Sequence, residues 1–201
     1  VGYQDKVFLD LTARNDWAST LAYTSHEKSG FFYPSAGLSF LIDKWIQLPE
    51  WISFAKLRGT YSKVGNDIPQ FITNSVSHIT AGGELQANDA APFKEMEPEM
   101  THSVEVGTEW RFFQSRLGFN LTYYRTNTHN QFFKLPALAG DMYAYRYVNA
   151  GDIQNRGWEL TVDATPVLTP DFTWKTSLNF SSNRNKIKEL HEELKELVYG
   201  P

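Results

Sequence analysis

The sequence of 201 residues contains no cysteine. That excludes a disulfide framework, a thiolate metal site and a cysteine nucleophile. It also lacks any run of about 18 apolar residues, so no helix can span a membrane. Charge of either sign is modest, with a formal net charge of −4, which does not suggest a nucleic-acid partner. The five histidines, His26, His78, His102, His129 and His191, are scattered, mostly in expected loops. None has metal spacing, and His191-Glu192-Glu193 lacks the second histidine of a zinc-protease helix. There is no Gly-rich phosphate loop entering a helix and no G-x-S-x-G elbow. Glu105 and Glu109 share a strand face, but four residues of rise put them ~13 Å apart, too far to act on one bond. The expectation is a non-enzyme without catalytic, metal or cofactor residues, its ligand-binding residues unassigned.

What the chain has instead is alternation. In Ser103 to Phe112, Val104, Val106, Thr108, Trp110 and Phe112 share one face, and Ser103, Glu105, Gly107, Glu109 and Arg111 the other. After a tight turn at Gln114-Ser115, Leu117, Phe119, Leu121 and Tyr123 alternate with Arg116, Gly118, Asn120 and Thr122. Five further segments read the same way: Tyr3 to Arg14, Phe31 to Ile42, Ser53 to Lys63, Tyr147 to Thr165 and Phe172 to about Asn183. The strand after Gln114-Ser115 has scope to run on to Leu135. Pro34 weakens the second strand, since proline removes a ladder hydrogen bond and suits edges or bulges. Gly151 and Gly157 suit a bulge or a close strand approach.

The pattern has two homes: a soluble or surface-displayed β-sandwich that binds carbohydrate, or a barrel whose apolar side faces lipid. The connections favour the barrel. In order they are 15–30 (long), 43–52 (compact, with a helical turn), 64–101 (very long), 114–115 (tight), 136–143 (intermediate) and 166–171 (short). Short turns at one end and longer loops at the other characterise outer-membrane barrels. Aromatics make up 15% of the chain, and Trp45, Trp51, Phe54, Trp110, Phe112, Phe113, Phe172 and Trp174 fall at the short-turn ends of their strands. They read as a girdle at the inner membrane interface. Lys56, Arg58, Glu105, Glu109, Arg111, Glu159, Asp163 and Lys175 occupy polar faces and read as mainly structural charges in a wet interior. Tyr143, Tyr145 and Tyr147 sit near an outer loop, where stacking on sugar rings competes with loop packing.

Specific motifs add to this. Asn149-Ala150-Gly151-Asp152-Ile153-Gln154-Asn155-Arg156-Gly157-Trp158-Glu159-Leu160 resembles the N-A-G-x-I-x-N-x-G-x-E-L signature of the SusC/RagA family of TonB-dependent outer-membrane transporters. Glu97-Pro98-Glu99-Met100-Thr101 followed by Glu105-Val106-Gly107 is similar to that family's P-E-x-T…E-V-G segment. Leu57 to Asn66, Leu121 to Thr128, and Phe172 to Ile187 also resemble its strands. The resemblance implies an all-β, antiparallel transmembrane β-barrel segment of about seven strands, from a plugged barrel of about 22. Residues 1–188 are expected to form part of the receptor barrel. Residues 189–201 are expected to be a loop or short helix leading to further strands, and the plug, TonB-contacting segment and signal peptide to lie outside this piece. The implied function is TonB-dependent import, across the bacterial outer membrane, of an oligosaccharide or a peptide. The implied partners are a SusD-like surface lipoprotein, the TonB complex and outer-membrane lipid, with no nucleic acid.

Overall fold

Period-two alternation of β-branched and aromatic side chains favours strands, and the turns between them set the pairing. The computed structural model describes residues 1–69, 72–73, 77–86, 89–137 and 140–189. The strands are β1 (Gly2–Tyr3), β2 (Val7–Asp16), β3 (Phe31–Leu41), β4 (Ile52–Asn66), β5 (His78–Ile79), β6 (Leu85–Gln86), β7 (Ala90–Ala91), β8 (Glu99–Phe112), β9 (Leu117–Pro136), β10 (Tyr145–Leu168) and β11 (Thr173–Glu189). Helical structure among the described residues is confined to two 3-10 turns, Ser19–Leu21 and Ile42–Lys44, the second in the link where a helical turn is expected.

One sheet runs β1-β2-β3-β4-β8-β9-β10-β11, every neighbouring pair antiparallel. β5 and β6 form a separate hairpin inside the longest connection, and β7 pairs in parallel with the start of β10. Successive connections therefore fall at opposite ends. The segments 17–30, 67–98 and 137–144 lie at one end, and 42–51, 113–116 and 169–172 at the other. Most of the first expected strand, Tyr3 to Arg14, is β2, but its first residues turn back to form a two-residue partner strand. Gln4 and Asp5 both take positive φ (50° and 52°) and turn β1 back onto β2.

The turn between β8 and β9 places Phe113, Gln114 and Ser115 at φ of 52°, 56° and 65°. Pro34 breaks no ladder. It lies opposite Ala13 of β2, and the pairing of β3 with β4 begins only at Ser35. The strands of the second half are long: β9 and β10 pair from Leu117 opposite Ala164 to Pro136 opposite Tyr145. β3 and β4, by contrast, pair only from Ser35 to Leu41.

Register sorts the side chains into transverse rows. On the apolar face, Leu57, Thr108, Leu121, Leu160 and Phe180 form one row, and Gly59, Val106, Tyr123, Trp158 and Ser182 the next. No second sheet covers this face among the described residues, and Leu38, Val106, Leu178 and Phe180 stand 51%, 55%, 69% and 60% exposed. A sandwich would bury them. The cores are small. Leu21, Ile68 and Met96 are enclosed where the long connections fold against Phe31, Phe132 and Tyr147, and Leu135, Val148 and Ala150 cluster on the upper part of β9 and β10. The sheet does not close: β11 pairs with β10 alone and is exposed along its whole length.

Candidate functional site: the polar face and its loop clamp

The polar face carries the expected charges, and the register fixes what each meets. Arg58, Gly107, Thr122, Glu159 and Ser181 lie in one row. The Arg58 side chain lies flat across Gly107 and donates from Nη2 to Thr122 Oγ1 (2.7 Å) and Asn120 Oδ1 (3.2 Å) on β9. Gly107 provides the room, since a Cβ there would sit 2.7 Å from Arg58 Nε. Toward the short-turn end, Arg111 donates to Glu109 Oε1 from Nε (3.1 Å) and Nη2 (2.8 Å). Glu109, Arg111, Ser115, Asn120, Thr161 and Asp163 border a cleft of about 310 Å³. Glu105 shares the face of Glu109, four positions away.

At the long-loop end the two best motifs meet. Asn149 accepts from the Glu97 backbone N–H on Oδ1 (2.8 Å) and donates from Nδ2 to the Glu97 (2.9 Å) and Asn130 (2.8 Å) carbonyls. Asn130 Nδ2 donates back to Glu97 Oε2 (2.7 Å). His26, from the 17–30 connection, approaches Glu97 Oε1 with Nε2 at 3.4 Å, and Ser25 Oγ donates to Glu95 Oε2 at 2.9 Å. Thr20 donates to Asp67. One glutamate thus ties two long connections to the wall. Asn130 and Gly151 face each other with φ of 57° and 86°, interrupting the ladder beside this clamp.

Gly157 serves a close approach, as expected. A Cβ there would lie 2.3 Å from the Ser182 carbonyl and 2.6 Å from Tyr124 Oη. Tyr147 packs against Phe132 as part of the loop core, and Lys134 caps the Tyr145 ring at 3.4 Å. Tyr143 precedes β10 in a bend. His102 and His129, distant in sequence, meet edge to face at 5.6 Å, with His102 Nδ1 3.1 Å from Tyr61 Oη and His129 3.8 Å from Asp152. His78 pairs through its backbone in β5, and His191 lies outside the described residues, as do 190–201 in general.

Most of the expected aromatic girdle is present at the short-turn end, but Phe54 lies on the polar face opposite Arg111, whose guanidinium sits 5.3 Å over its ring. Phe40 stacks on Trp45, Trp51 on Phe112, and Trp110 and Phe119 flank Phe112. A second aromatic level, missed by sequence reasoning, is the Tyr123–Trp158 contact at 4.6 Å. Trp158 and Leu168 are about ten residues apart along β10, ~33 Å of strand, which a tilt of ~40° projects to ~25 Å, the height of the apolar band of a transmembrane barrel.

A family model described as "TonB dependent receptor-like, beta-barrel" matches residues 1–191. The chain belongs to this family. A TonB-dependent receptor of Formosa agariphila is 30% identical over 198 residues, which is 94% of this chain and 20% of that protein. TonB-dependent receptor SusC of Bacteroides thetaiotaomicron is 25% identical over 189 residues, 87% of this chain and 19% of that protein. In fold, the RagAB peptide importer in its closed-closed state matches with a TM-score of 0.80 at 23% identity, over 94% of this chain and 21% of that chain. The chain spans about a fifth of the length of the relatives it matches. The TonB-dependent receptor wall resides in the bacterial outer membrane, its apolar face toward lipid and its polar face toward the lumen.

Proposed function

We propose that this chain is one wall segment of a plugged barrel that imports a nutrient, an oligosaccharide or a peptide, using energy delivered through TonB. A SusD-like surface lipoprotein caps the outer opening. The observation that carries the reading is the segregation of faces: Arg58, Asn120, Thr122 and Thr161 form hydrogen-bonded polar surface within the span over which the opposite face is apolar. A wall of that kind separates lipid from a wet passage. No covalent step is required of it. The clamp at Glu97 supports the reading, because it holds the long connections over the lumen side of the wall, where a solute entering the barrel must pass.

The test is a clean deletion of the full-length receptor gene, followed by growth and labelled uptake on defined oligosaccharides and peptides as sole carbon or nitrogen sources. Loss of use of one such source, restored by the gene and abolished without TonB, is expected. Growth equal to the parent on every source, with unchanged uptake, speaks against import.

A further inference from the structure

Above the Tyr123–Trp158 level the lipid side of the wall changes abruptly. The next transverse row places Arg125 of β9 directly opposite Arg156 of β10, and Arg156 directly opposite Arg184 of β11. Three guanidinium groups therefore occupy one face across ~10 Å of sheet. Like charges directly opposite one another destabilise a strand pair, so such a row needs a counter-charge. The protein supplies none among the described residues. Arg125 donates to neutral amides, reaching Asn127 Oδ1 at 3.1 Å and Gln154, whose oxygen, when turned toward it, accepts at 2.7 and 2.9 Å. Arg156 and Arg184 have no hydrogen-bond or ion-pair partner among the described residues. Lys186, opposite Gln154, adds a cation one row higher, with Lys63 and His102 further along that row. The carboxylates on that side, Asp152 and, opposite it, Glu189, stand four and five residues along the strands from Arg156 and Arg184, and Asp152 is engaged by Asn127 (3.0 Å) and His129 (3.8 Å).

The position of the row selects its counter-ion. Arg156 lies two residues before Trp158, just above the upper limit of the apolar band, and Tyr123, Trp158, Ser182, Arg156 and Arg184 line a shallow pocket of about 220 Å³. An acyl chain lying on Leu160 and Phe180 would bring its headgroup to that pocket. We propose that Arg125, Arg156 and Arg184 form a binding site for the phosphorylated headgroup of an outer-leaflet lipid, with Tyr123 and Trp158 flanking the headgroup–acyl junction. Guanidinium forks match phosphate oxygens in bidentate geometry, and phosphate neutralises the row. The inference rests on the wall-segment reading proposed above, taken with the long connections outside, as in outer-membrane barrels.

The experiment uses the full-length receptor, reconstituted in phosphatidylcholine vesicles doped with phosphorylated lipid A or with its dephosphorylated form. Bound lipid is counted by native mass spectrometry after mild detergent extraction. Heat-modifiable migration, read first, reports whether a membrane barrel has formed at all, and its absence in the wild type condemns the barrel reading itself. With the barrel formed, the wild type is expected to retain phosphorylated lipid and not the dephosphorylated form. The variant R125Q/R156Q/R184Q should retain it at least about tenfold less, as expected for loss of charge-assisted bonds. R156Q alone should show a smaller loss if the triple variant does not assemble, and the lumen-side K175Q should show none. Equal retention by the arginine variants overturns the site, as does equal loss in K175Q. Displacement of the lipid by millimolar inorganic phosphate would reassign the row to free phosphate and overturn the lipid assignment.

Discussion

Gly107 and Gly157 both lie on the lumen face of long strands, yet what surrounds them differs in kind. The obstacle to a Cβ at Gly107 is the flexible Arg58 side chain; at Gly157 it is the Ser182 carbonyl, which is backbone. Gly107→Ala is therefore expected to move Arg58 off Asn120 and Thr122 and to cost within ~1 kcal/mol. Gly157→Ala must spread β10 from β11 and is expected to cost ~1–3 kcal/mol, as overpacking does. Comparing the heat-modifiable fraction and urea midpoint of the two full-length variants checks this, and equal effects would contradict it. At Asn149, truncation removes three hydrogen bonds to Glu97 and Asn130. Asn149→Ala is expected to loosen residues 89–98 locally by ~1–3 kcal/mol, seen as faster protease nicking there with the barrel still assembled. Nicking unchanged from wild type would remove the clamp from the account. Sequence alone placed these residues on faces, because face follows from period two. It could not place them in rows, because a row depends on register across separate strands; hence Arg125, Arg156 and Arg184 went unnoticed as a set.

The same logic at the scale of a strand yields a sharper test. Phe180 faces lipid, while its neighbour Ser181 faces the lumen directly opposite Glu159. Phe180→Arg, like Leu121→Arg, is expected to hinder membrane assembly, since a cation at the bilayer midplane costs ~2–4 kcal/mol. Ser181→Arg is expected to assemble normally beside Glu159. Both outcomes are read by heat-modifiable migration, and the reverse pair would invert the faces. The seven long strands were legible, since alternation persists through their apolar stretches; the two-residue strands β1, β5, β6 and β7 were not. Some strand ends were not: β8 begins at Glu99 rather than Ser103, and β11 runs on past Asn183 to Glu189 through polar residues such as Arg184 and Lys186, where hydropathy no longer alternates although the ladder continues. The packed nature of the 67–98 connection was likewise hidden, because Ile68 and Met96 find their partner, Leu21, in another loop.

For the molecule as a whole, the uncovered apolar face and open β11 edge predict behaviour in water. The isolated 201-residue chain is expected to be insoluble without detergent; purification as a cooperatively unfolding monomer without detergent would contradict the lipid-facing assignment. Orientation is checked in the full-length receptor on intact cells. Cysteines at exposed Glu84 and Ser115 are expected to differ, with an impermeant reagent labelling Glu84→Cys only. Equal labelling, or labelling of Ser115→Cys alone, would reverse the wall in the membrane. The barrel class was legible from loop alternation; closure was not, since among the described residues both edges of the sheet stay open.

The unequal ladders also set a clock. β9 and β10 remain paired to Pro136 and Tyr145, and the upper part of β9 is flanked by β8 as far as Met100. The first residues of β3, Phe31 to Pro34, have β2 on one side and no recorded β4 pairing on the other. Amide deuteration should therefore run from the β3 side inward: residues 31–33 exchange early, and 126–128 and 153–155 hold their protons far longer. The wall wears from its flanks, the open edge of β11 included, and its memory of the folded state lasts longest in β9 and β10 between them.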